Sequence, residues 1–114
     1  MSLKDFQQAY VECAFWSSFT EDGTPLDGVN ADPAPDTIEK MEREAEAFYT
    51  ANCDLFADDS QAGHDFWLSR NGHGAGFWDR DLGEVGDLLH ARAKATGERD
   101  LLVGDDGMLY QVQG

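Results

Sequence analysis

Positive charge is scarce in this chain: 8 Lys and Arg stand against 23 Asp and Glu, for a formal charge of -15 at pH 7. A surface so poor in cations repels phosphates, which argues against direct binding to a nucleic-acid backbone. Cysteine is almost absent, with only Cys13 and Cys53. That excludes the multi-disulfide framework by which small secreted domains offset a thin core, and both are expected as reduced, buried thiols of a cytoplasmic protein. Apolar runs are only a few residues long, and Met1 to Asp5 has no basic segment leading into a hydrophobic stretch. A soluble, unexported protein without a membrane partner is expected. The three prolines, Pro25, Pro33 and Pro35, all fall within residues 20–35, where two glycines and several acids predict a long irregular connection.

What is present is core material. With 114 residues, 41% hydrophobic and 11% aromatic, the chain fits one acidic globular domain over residues 1–114 rather than a disordered segment. From Leu3 to Phe19 the residues Phe6, Tyr10, Val11, Cys13, Ala14, Trp16 and Phe19 recur at helical spacing. Asp36 and Glu39 have capping-box spacing and open a second helix to about Asn52, with Ile38, Met41, Ala45, Phe48 and Tyr49 on one face. A third helix runs from Asp58 or Ser60 to Arg70 and is stopped by Asn71-Gly72. Leu82, Val85, Leu88, Leu89 and Ala93 form a fourth face, with Asp79 or Asp81 near its start, Gly83 and Gly86 inside it and Gly97 at its end. Residues 100 to 112 read as two strands around the Asp105-Asp106-Gly107 turn. A lone two-stranded ribbon is marginal in water, so it must pack on the helices or gain a third strand, for which the segment around Phe77 is the candidate. The expected fold class is α+β, four helices around an aromatic core with a C-terminal hairpin.

Chemistry-bearing side chains concentrate between Gly63 and Arg80, where His64, Asp65, Arg70, Asn71, His73, Asp79 and Arg80 interleave with Phe66, Trp67, Phe77 and Trp78. His64 and His73 lie nine apart across a helix end, so they lack the one-turn spacing of two metal ligands on a helix face, and no cysteine pair supports a zinc site. Gly72, Gly74 and Gly76 follow a helix rather than a strand and precede no lysine, unlike a phosphate-binding loop. The bland explanation fits better: four aromatic anchors with glycines that allow a tight reversal between them. Arg70 and Arg80 then pair with neighbouring carboxylates, and neither cysteine has a base or cation placed to activate it. The Asp105-Asp106-Gly107 run lacks the alternating acids of a calcium loop and is accounted for by a hairpin turn. No cofactor or metal is implied.

The acidity is lopsided. Residues 1 to 69 hold 15 acids and 3 bases, whereas residues 70 to 114 hold 8 and 5. On the second helix Glu39, Glu42 and Glu46 recur at steps of three and four, opposite the Ile38, Met41 and Phe48 face, and Glu44 flanks them. Lys40 and Arg43 neutralise the row only in part. These four glutamates are the candidate partner-binding residues: a row of carboxylates kept despite mutual repulsion offers a docking surface to a basic groove.

The stretch Ala62-Gly63-His64-Asp65-Phe66-Trp67-Leu68-Ser69-Arg70-Asn71-Gly72-His73-Gly74-Ala75-Gly76-Phe77-Trp78-Asp79-Arg80 resembles a family of small bacteriophage and prophage proteins. So do Tyr10 to Ser18, Leu82 to Asp87 and Val103 to Gly107, which extends the resemblance over most of the chain. It brings no activity or catalytic residue with it. A phage origin implies residence in the host bacterial cytoplasm and directs attention to host takeover. The expected function is an acidic inhibitor of a host defence system, of the anti-CRISPR or anti-restriction type, docking on the basic nucleic-acid groove of a CRISPR effector or restriction enzyme as a DNA mimic. The alternatives are a non-inhibitory phage accessory or assembly factor, and a small enzyme using the His64 to Arg80 cluster.

Overall fold

The computed structural model describes residues 3–17, 32–56, 58–72, 76–77, 83–104 and 106–113, apart from the side chains of Trp16 and Gln113. Four helices precede an antiparallel hairpin: α1 (Leu3–Ser17), α2 (Pro35–Asn52), α3 (Asp59–Arg70), α4 (Glu84–Ala95), β1 (Arg99–Val103) and β2 (Leu109–Gln113). The class is α+β, as the periodicities predict. Most of the 20–35 connection, together with Phe19, Trp78 and the expected helix-four residues Asp79, Asp81 and Leu82, lies outside the described residues.

The helix ends follow local chemistry. Asp58 caps α3 by accepting from the Gln61 N–H at 3.0 Å, and Arg70 occupies its last turn, where the dipole favours a cation. The start of α2 differs from the capping-box expectation. Ala34 is the N-cap without a side-chain bond, Pro35 supplies a preset φ at the first helical position, and Asp36 lies inside the first turn. The fourth helix also shifts. Gly83 adopts φ 64 as the N-cap of α4 rather than sitting inside it, and the buried stripe is Gly86, Leu89 and Ala93. Val85 and Leu88, expected in the core, remain about two-fifths exposed at 37% and 42%. The small residues Gly86 and Ala93 flank Leu89 on the buried side, and this turns the two larger aliphatics outward.

α1 and α3 pair most extensively, around Gly63. A Cβ at Gly63 would strike the Phe6 carbonyl and come within 2.9 Å of the Ala9 Cβ, so the glycine sets how closely the two helices approach. The core between them and α2 is aromatic. Phe48 and Phe66 stack at 4.1 Å between centroids, Phe6 stacks on Phe56 at 5.2 Å, and Tyr10 meets Trp67 edge-on at 5.6 Å. Phe77 lies against Phe48 at 5.9 Å and delivers a ring to the core, while most of the segment expected as a third strand lies outside the described residues. Among the described residues the hairpin gains a short parallel bridge from the chain entering α2. Ala34 N–H donates to the Leu109 carbonyl at 3.0 Å, Leu109 N–H donates to the Asp32 carbonyl at 2.9 Å, and Thr37 Oγ1 adds 2.8 Å to the same Leu109 carbonyl. This clamp holds the acidic helix in place relative to the hairpin.

Candidate functional site: an acidic helix face and the network behind it

The buried positions of α2 are Thr37, Met41, Ala45, Phe48 and Asn52, spaced by three and four, so one side of the helix is committed to the core. Glu39, Glu42 and Glu46 project from the other side and are exposed. Their steps correspond to roughly 4.5 and 6 Å of rise along the axis. Glu39 meets Arg43 at 3.4 Å, but both side chains are about two-thirds exposed, and an ion pair so wet contributes little and releases its partners readily. The Glu42 backbone carbonyl accepts from Gln7 Nε2 at 3.0 Å, which ties this face to α1. Between the two helices runs a groove of about 290 Å³ with Val11 and Ile38 in it and Glu12 and Glu42 along it. Glu12, on α1, extends the carboxylate row sideways, and Gln8 Nε2 donates to it at 3.2 Å. The sequence reading missed Glu12 because it considered one helix at a time.

Glu44 does not belong to the exposed row. Its side chain is 23% exposed and turns inward, where Oε2 receives Arg99 Nε at 3.0 Å and Arg70 Nη2 at 3.3 Å, and Oε1 accepts from Gln111 Nε2. At helical spacing Glu44 stands on the flank of α2 that faces α3 and the hairpin, so two guanidinium groups claim its carboxylate. Arg70 is 1% exposed and fully employed: it also donates to the Tyr10 hydroxyl at 2.7 Å, the Gly97 carbonyl at 2.9 Å and the Thr96 carbonyl at 3.3 Å. Its guanidinium carbon lies 5.1 Å from the Phe66 ring centroid. Burial pushes the Tyr10 phenol up to about 12, against the opposing pull of Arg70, so the phenol is neutral and accepts from the cation. Three helices, both strands and the cap of α4 at Thr96 and Gly97 therefore meet at one Arg–Glu–Arg cluster. The expectation that Arg70 pairs with a carboxylate holds, and the partner comes from a different helix.

The glycine and aromatic region has a different character. Ser69 Oγ, fully buried, accepts from the Phe77 N–H at 3.1 Å and lies 3.0 Å from His90 Nδ1. A serine beside a histidine has the form of an activated nucleophile. Here the hydroxyl is out of solvent and bound to the backbone, and it holds the Phe77 N–H against α3. A Cβ at Gly76 would collide with that same Oγ. His90, which sequence reasoning overlooked, sits beside the buried Leu89 at the edge of an apolar face, and only the fold brings it to Ser69. His64 is half-buried, while His73, Asp79 and Arg80 lie outside the described residues. Phe66, Trp67 and Phe77 are core residues, and Trp67 Nε1 donates to Ser17 Oγ at 2.9 Å.

Cys13 is buried and Cys53 half-buried, and neither forms a disulfide. Among the described residues no group of three His, Cys, Asp or Glu side chains is placed to hold a metal, and no helix is long and apolar enough to cross a membrane. Comparison with protein-family models, with curated proteins and with solved structures finds no match.

Proposed function

We propose that this chain is a phage-encoded acidic protein that docks on the basic nucleic-acid-binding groove of a host defence protein and inhibits it by occupying the place of DNA. The observation that carries the reading is the exposed row Glu39, Glu42 and Glu46, continued by Glu12 across the α1–α2 groove. The row stands on a helix held by core packing, by the Glu44 cluster and by the Leu109 clamp. Such anchoring matters because a pre-positioned row of charges meets a basic groove without first losing conformational entropy. A formal charge of -15 supplies long-range attraction toward a cationic partner. The phage origin rests on the resemblance of the Ala62 to Arg80 stretch.

The test is competition for DNA. A labelled duplex bound to a purified CRISPR effector or restriction enzyme is titrated with this protein, and anisotropy follows release of the DNA. Displacement at low salt that weakens steeply as salt rises is the expected result, because the Debye length shrinks from about 10 Å at 0.1 M to about 3 Å at 1 M. Failure to displace DNA from any of a panel of such enzymes would remove the inhibitory reading and leave that of a non-inhibitory accessory factor.

A further inference from the structure

A cleft of about 620 Å³ opens between α2, α3 and the C-terminal end of α4, on a different flank of α2 from the exposed glutamate row. Ala47, Ala51 and the edges of the stacked Phe48 and Phe66 rings give it an apolar floor. Its size falls in the range of small-molecule sites. At its rim Arg92 Nη1 donates at 2.6 Å to Oδ1 of Asn52, which is buried and itself bonded through Nδ2 to the Phe48 carbonyl at 3.0 Å. The guanidinium is thereby held over the cleft with its remaining N–H groups available, and among the described residues no carboxylate pairs with it. Glu44, the acid on the wall, is already matched by Arg70 and Arg99. In a chain of charge -15, this cleft is a local concentration of positive charge beside an aromatic floor.

From that combination we infer that the cleft binds a small, flat apolar molecule bearing one carboxylate, with its ring on the Phe48 and Phe66 floor and its carboxylate on the Arg92 fork. Charge complementarity selects the anion, since a guanidinium presents two parallel N–H groups to a carboxylate. The site is independent of the glutamate row, so either can fail without the other.

The probe is 2-naphthoate, titrated into the full-length protein by calorimetry and by amide chemical-shift mapping, beside the neutral 2-naphthylmethanol and the cationic 2-naphthylmethylamine. The expected result is saturable one-to-one binding of 2-naphthoate with shifts centred on Ala47, Ala51 and Thr96, and at least tenfold weaker binding of the other two. Arg92→Gln, at an exposed position, should weaken 2-naphthoate about tenfold. Ala51→Trp, also exposed, should fill the cleft and abolish binding while circular dichroism stays unchanged. Absence of saturation, equal binding of the three probes, shifts centred elsewhere, or unchanged affinity in Arg92→Gln would each overturn the inference.

Discussion

Replacing Arg70 by methionine isolates the contribution of the buried cluster. Methionine keeps much of the apolar stem but removes every donor together with the guanidinium over Phe66, so the Tyr10 hydroxyl and the Thr96 and Gly97 carbonyls lose a charged partner at once. Glu44 keeps Arg99 at 3.0 Å and remains 23% exposed, so it is not stranded as a fully buried charge. Breaking a buried pair from one side costs about 3 to 5 kcal/mol, and the residual partner of Glu44 places this case near about 3 kcal/mol. Against a total stability of about 5 to 15 kcal/mol the variant should fold, with Tm lowered by about 12 to 24 °C if each kcal/mol shifts a domain of this size by about 4 to 8 °C. Urea titration followed by circular dichroism measures the loss directly. Arg43→Met is the internal control: it removes a guanidinium whose pair with Glu39 is wet, and should cost less than about 0.5 kcal/mol. A cycle with Glu44→Gln should show positive coupling between Arg70 and Glu44 and none between Arg43 and Glu44. A loss below about 1 kcal/mol for Arg70→Met, or equal losses for the two arginines, would refute the view that this cluster joins the helices to the hairpin.

Three further outcomes follow from the packing. Because the Tyr10 pKa is raised to about 12, its contribution to stability is intact below pH 10, the ordinary phenol value, and is lost as pH climbs through about 12. Urea midpoints measured across that window should fall in the native protein and fall less in Tyr10→Phe, whose baseline at neutral pH is lower by the missing bond to Arg70. Trp67→Ala should cost about 3 to 5 kcal/mol, since the indole is 2% exposed. A loss below about 1 kcal/mol in denaturant melting would make it a surface group. Gly63→Ala should cost at least about 1 to 3 kcal/mol by pushing α1 away from α3, although alanine is the better helix former. A stabilised variant would mean that the helices do not meet at this glycine.

Periodicity located the helices because each buries one stripe, and the turn residues located the hairpin. In helix four Leu89 and Ala93 are buried as the spacing predicts, but Val85 and Leu88 are not: both outrank Gly86 on any apolar scale, yet Gly86 takes the buried position. Phe77 is the core anchor that its aromatic character predicts, and its ring joins a stack with Phe48 of α2 and Phe56 beyond α2. The glutamate row was legible for Glu39, Glu42 and Glu46, since a helix with a known core face fixes the direction of the opposite one. Glu44 could not be read the same way. It sits at the boundary between the two faces, and its direction is decided by Arg70, 26 residues away, and Arg99, 55 residues away. The cleft beside Arg92 was equally out of reach, because its walls come from three helices that no local pattern brings together.

The exposed glutamates are the proposed contact surface. The direct measurement is the plating efficiency of a restricted phage on bacteria carrying CRISPR or restriction systems, with each strain expressing either the native protein or the combined Glu39→Lys, Glu42→Lys and Glu46→Lys variant. All three residues point to water, so the variant should give the native circular dichroism spectrum. The native protein is expected to raise plating at least tenfold on a strain whose defence it blocks, and the reversed protein to leave plating at the restricted level seen on that strain without either protein. Equal protection by both proteins, or protection by neither on any strain, would contradict the claim.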